Sequence, residues 1–257
     1  MHKVVFIIFS LIALSLAASV SFAETVSDVG KATYISGDVY VVRGEERIPL
    51  AEGDGVLAAD TVITGSRGRV ALQMHDNSKI HIGRSSRVSL SNYAVKEKTL
   101  VSGAFNVLWG KVRFFVAKLS GDSSFNVTTK TAVLGVRGTE FVVVVPMPEG
   151  VEDPTSIELS PNLPDLITTV YGIEGLVEGV SLKGERVLIG PGVKVEFSVD
   201  NKVVLTFDQE PKNLPSIGVP DIAPVEPDVP SPADIPVPTE PVIQEPVIQQ
   251  LRNLTIG

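Results

Sequence analysis

Between Gly30 and Phe207 no window of this chain sustains apolar residues at helical spacing without meeting a glycine or a proline. Short apolar runs recur instead, about ten residues apart, among them Thr33 to Val42, Arg69 to Met74, Lys79 to Ile82, Ala104 to Leu108, Lys111 to Val116 and Val193 to Val199. Gly-Glu, Gly-Asp, Asp-Asn-Ser and Pro-Gly pairs, the chemistry of tight turns, separate them. The pattern predicts a single all-β domain over residues 30–207. Evenly spaced strands with recurring glycines suit a solenoid-like coil or a β-sandwich. Loose echoes at Gly37-Asp-Val39, Gly110-Lys-Val112 and Gly175-Leu-Val177 set no single period.

The stretch from Phe125 to Val145 organises the rest. Phe141 to Val145 is apolar at every position, so it has no polar side for water and reads as a strand covered on both faces. Gly135 and Gly138 just before it suggest a bend or a close backbone approach. Arg137 and Glu140 are the polar residues of this apolar neighbourhood. Their expected role is structural: an internal ion pair, or hydrogen bonds to backbone at the bend.

Val136-Arg-Gly-Thr-Glu-Phe141, preceded by Phe125-Asn-Val-Thr-Thr129, resembles the most diagnostic part of the FecR domain, the periplasmic module of iron-dicitrate-type signalling regulators. Two further blocks share the resemblance. One is Asp60-Thr-Val-Ile-Thr-Gly65 with Arg69 to Gly83; the other is Gly175-Leu-Val177 with Val187-Leu-Ile-Gly-Pro-Gly192. Where the family usually has Asp-Gly-Ser, this chain has Asp76-Asn77-Ser78, and Asn tolerates the positive φ of a hairpin turn. The resemblance implies an all-β, β-helix-like coil in which Arg137, Gly138, Thr139, Glu140 and Phe141 are structural. It also implies a non-enzymatic, exported binding or scaffold module that acts by protein–protein contact, with an envelope-side sensing role. A direct anti-sigma role is not expected, because the chain starts with an export signal in place of a cytoplasmic segment.

Flanking that domain, Met1 to Ala23 reads as a cleaved signal peptide: a basic start, an apolar run, and Ser21-Phe-Ala23 as cleavage site. No later stretch is long or apolar enough to cross a membrane, so the expected location is periplasmic or extracellular. Residues 146–167 hold five prolines and five acids with no basic residue, and read as an acidic insertion loop. Residues 211–257 hold eleven prolines and repeat Glu-Pro-Val-Ile-Gln in tandem, which predicts a disordered, removable tail.

Nothing in the motifs points to an enzyme. The chain has no cysteine, no phosphate loop and no Gly-x-Ser-x-Gly, and no cofactor or metal is expected. His75 and His81 flank the hairpin turn without a third ligand motif. The formal charge of −8 disfavours nucleic acid as a partner. Yet residues 67–118 carry ten Lys or Arg against two acids. Strand alternation turns Arg69, Lys79, Arg87, Lys111 and Arg113 outward, with His81 beside them. That predicts a basic outer face and a partner that is an envelope protein or an anionic envelope polymer. The alternative function is therefore a surface or secreted protein that binds anionic glycans.

Overall fold

A computed structural model describes residues 28–97, 99–148, 155, 167–200, 203–207 and 216–220. The signal segment, most of the 146–167 loop and most of the 211–257 tail lie outside the described residues.

Among the described residues the chain forms seventeen strands and no helix. The first five are β1 (Gly30–Ser36), β2 (Val39–Arg43), β3 (Glu46–Pro49), β4 (Gly55–Val56) and β5 (Thr61–Thr64). Then come β6 (Arg69–Met74), β7 (Lys79–Ile82), β8 (Arg87–Lys96), the long β9 (Thr99–Phe115) and β10 (Ser124–Thr128). β11 (Ala132–Val136) and β12 (Glu140–Val145) carry the motif, followed by β13 (Thr168–Glu174) and β14 (Val177–Ser181). β15 (Arg186–Ile189), β16 (Val193–Phe197) and β17 (Val203–Phe207) complete the series.

These strands sort into two sheets. Sheet A runs β4-β1-β6-β7-β9-β12-β13-β16-β17. Sheet B runs β3-β2-β5-β8-β9-β10-β11-β14-β15. β9 serves both: its residues up to Trp109 pair in sheet B, and those from Gly110 onward pair in sheet A. At the crossover Gly110 has φ +114°, and a Cβ there would lie 2.1 Å from Ser86 Oγ, so only glycine fits.

Along the sequence the chain passes back and forth between the sheets. The expected coil is therefore present as a two-faced wrap with the core between its faces. Its pairings are antiparallel apart from β9 with β10, so it lacks the parallel rungs of a regular β-helix.

The core is one cluster fed by the inward positions of both sheets, Leu72, Phe114, Phe141 and Val143 from one and Val62, Phe105, Phe125 and Leu134 from the other. Aromatic rings join the two. Phe105 stacks on Phe125 at 5.3 Å and Phe114 on Phe141 at 5.1 Å, with Phe105 edge-on to Phe114 at 5.6 Å. Phe125 and Phe141, from the two sheets, thus both pack against Phe114. β12 lies between β9 and β13, and Phe141, Val142, Val143 and Val145 are all buried, as the apolar run requires. Val144 alone is partly exposed.

The two motif glycines differ in what they do. Gly138 has φ +71°, and a Cβ would come within 2.9 Å of the Lys118 backbone, so the close approach is real. Gly135 has open space above it, with only Asn126 Oδ1 at 3.8 Å.

Candidate functional site

The antiparallel register sets which side chains share the outer face of sheet A. One cross-strand row reads Ala71, His81, Arg113, Val142, Tyr171, Lys194, and the next reads Gln73, Lys79, Phe115, Glu140. Arg69 and Lys111 fall on this same face. The structure thus brings four of the five candidate cations together, but not as a continuous solvated strip.

Arg113 is engaged. Its Nε donates to Glu140 Oε1 at 2.8 Å, a terminal guanidinium nitrogen bonds the same oxygen, and the guanidinium lies 4.6 Å from the Phe115 ring centre. Glu140 therefore pairs with Arg113 on the neighbouring strand, and not with Arg137. Arg137 is exposed and donates to the Gly121 carbonyl at 3.3 Å. The Thr139 side chain is buried, and Gly138 and Phe141 hold the bend and the core as described.

Arg87 departs from its expected outward place. It belongs to sheet B and is buried at 6% exposure, with its guanidinium 5.6 Å from the Trp109 ring centre. A register shift between Arg87 and Val88, with Leu108 the extra residue on β9, interrupts the ladder here, and Arg87 pairs with Ile63 while Val88 pairs with the core residue Val62. Burial lowers the Arg87 pKa. His81 is also a correction: it sits on the outer face of sheet A but is buried, its ring 4.9 Å from that of Phe115. Lys79 is half-buried on the same face.

The start of the tail is not free. Ile217 is buried, and Lys111 Nζ donates to the Ser216 carbonyl at 3.4 Å. Residues 216–218 thus lie over the end of the basic face. A cleft of about 380 Å³ lies between them and Arg69, Gly83, Arg84 and Lys111.

On the outer face of sheet B a shallow hollow of about 760 Å³ opens over Gly135. Asn126, Arg137, Leu176, Glu178 and Leu188 line it, with Phe125 and Val136 beneath. Leu176 is 58% and Leu188 64% exposed, and Val133 on the same face is 44% exposed. The outward parity of Leu188, between Val187 and the buried Ile189, was readable from alternation. That Gly135 leaves the hollow open depends on which strands lie side by side.

The other polar groups of the motif region hold strands together. Asp60 is buried and bonds Arg43 Nε at 2.9 Å, Arg43 Nη2 at 2.8 Å and the Leu57 amide at 2.8 Å, which raises the Arg43 pKa. Thr131 donates to Thr168 at 2.6 Å, and Thr168 to Thr129 at 2.8 Å, all three buried.

Residues 60–160 match the family described as FecR protein. This stretch matches a FecR domain. It begins at Asp60, includes β5 to β12 with both motif glycines, and excludes β1–β4 and β13–β17, which complete the same two sheets. No curated protein sequence is significantly similar to the chain. Two crystal structures of a candidate anti-sigma factor from Parabacteroides distasonis are similar to it, at 12% identity and TM-score 0.45 and at 13% and 0.44. Each match covers 59% of this chain and 61% of that one, so this chain spans under two thirds of their length.

Proposed function

We propose that this FecR-domain chain is a non-enzymatic, envelope-side regulatory module that works by protein–protein contact through the outer face of sheet B. The observation that carries the reading is the hollow over Gly135. Large apolar side chains that stay exposed together mark interaction surfaces, because water gains when a partner covers them. Leu176, Leu188 and Val133 supply the apolar anchors, and Arg137 and Glu178 supply a rim of both signs that would orient a partner. The surface is built from the motif itself, since Asn126, Gly135 and Arg137 all belong to the Phe125–Val145 stretch. The partner this chemistry fits is a protein presenting an apolar anchor between polar groups. Envelope-side placement is supported by the signal-like first 23 residues and by the FecR match.

The test is a photo-crosslinker placed at Leu188 in the native envelope, followed by binding measurements with the purified crosslinked protein. Leu176→Asp and Leu188→Asp should each weaken that binding at least about tenfold, the loss of a buried leucine anchor. The melting temperature should hold, because both side chains are exposed. Unchanged affinity in both variants would overturn the reading.

A further inference from the structure

We propose that Arg69, Arg84 and Lys111 form an oxyanion-binding cleft on sheet A, roofed by the chain's own Ser216–Gly218 segment. This goes beyond the protein contact, which uses the other sheet. The decisive atom is Arg69 Nε: it is buried and, among the described residues, has no hydrogen-bond partner. Gly218 covers it so closely that a Cβ on Gly218 would lie 2.7 Å from Nε. Buried guanidinium N–H groups are nearly always satisfied, so an orphan one on an arginine that lines a cleft points to an acceptor there.

The charges around the cleft point the same way. Among the described residues three cations and no carboxylate line it. Among the described residues none of the three has an ion-pair partner. Lys111 uses one of its three donors on the Ser216 carbonyl and keeps two. Three like charges facing one space repel, and an anion placed between them turns that repulsion into attraction. Phosphate, sulfate and carboxylate are the groups whose geometry an arginine fork matches. The roof is part of the site. Ile217 is buried beside Gly83, where a Cβ would meet its Cγ2 at 3.5 Å, and Gly218 holds φ +69° over Arg69.

The experiment follows the Arg69 Nε–Hε resonance of the full chain during titration with inorganic sulfate, phosphate and acetate, ionic strength being held constant with chloride. A saturable shift is expected with at least one of the three. Preference for sulfate or phosphate over acetate would identify a tetrahedral dianion as the better fit, and the reverse a carboxylate. Arg84→Gln and Lys111→Gln should each weaken the response about tenfold, the usual effect of losing one charge-assisted hydrogen bond. The proposal is overturned if the parent protein shows no saturable shift, a result that needs no variant to fold. It is also overturned if the double variant folds and responds like the parent. A resonance that ignores added anions but moves on Asp221→Asn would overturn it too, because an acid of the chain itself would then be the permanent partner.

Discussion

Asp76 accepts three hydrogen bonds, from the Ser78 amide at 3.1 Å, the Ser78 hydroxyl at 2.7 Å and the Tyr93 phenol at 2.6 Å. Ser78 Oγ in turn accepts from the Ala117 amide at 3.0 Å, so one turn ties the β6–β7 hairpin to β8 and to the chain leaving β9. Asn77 between them has φ 70°, the conformation its side chain tolerates. Tyr93→Phe would leave part of a buried carboxylate unsatisfied, and should cost about 1–3 kcal/mol in denaturant unfolding. Burial and the Asp76 charge raise the Tyr93 pKa. The folded state therefore holds this proton after the unfolded chain, with its ordinary tyrosine pKa near ~10, has begun to release it. The Tyr93 contribution is fully present below that pH and is lost as pH rises above it. Alkaline titration should show a step in phenolate absorbance that coincides with unfolding and is absent in Tyr93→Phe. At the motif glycines, Gly138→Ala should destabilise by about 1–2 kcal/mol or more, since a left-handed φ and a backbone clash act together. Gly135→Ala should leave the melting temperature nearly unchanged while filling the sheet B hollow, and thermal melts of the two variants separate the roles.

At the scale of elements, β12 and β9 decide stability. β12 has neighbours on both edges and core on its inner face, so Val143→Asp places a carboxylate among Phe and Val side chains with no partner. A loss on the order of 4 kcal/mol or more is expected, and a melt within a few degrees of the parent would contradict the central placement. Arg113 and Glu140 join β9 to β12 across the outer face. Arg113→Gln should cost about 1–3 kcal/mol. Arg113 is thus a strand tie, and charge reversal there would test folding before it tested binding.

For the whole molecule, the segment after β17 contributes to the domain. A chain ending at residue 210 loses the buried Ile217, while one ending at 220 keeps it. Burial of one isoleucine is worth about 1.5–3 kcal/mol, so the shorter chain should melt roughly 3–10 °C lower and the longer one at the parent temperature. Equal melting of both would show that Ile217 adds nothing to the fold.

Much of this is legible in the amino-acid sequence. Helix-breaking glycines and prolines, period-two apolar runs and turn pairs determine an all-β chain, because each is a local property of a few neighbouring residues. The continuous apolar run at Phe141 likewise determines a buried strand, since no register could give it a wet face. Tertiary structure alone decided the rest. Alternation assigned Arg87 to the surface, but it is buried beside Trp109 at a register shift, and such a shift depends on the partner strand. His81 does lie on the outer face, yet Phe115 from another strand covers it. Glu140 found Arg113, 27 residues away, over Arg137, three residues away, because cross-strand register and not sequence distance brings charges together. The cleft at Arg69 and the hollow over Gly135 are likewise made by segments distant in sequence, and no single segment carries their pattern.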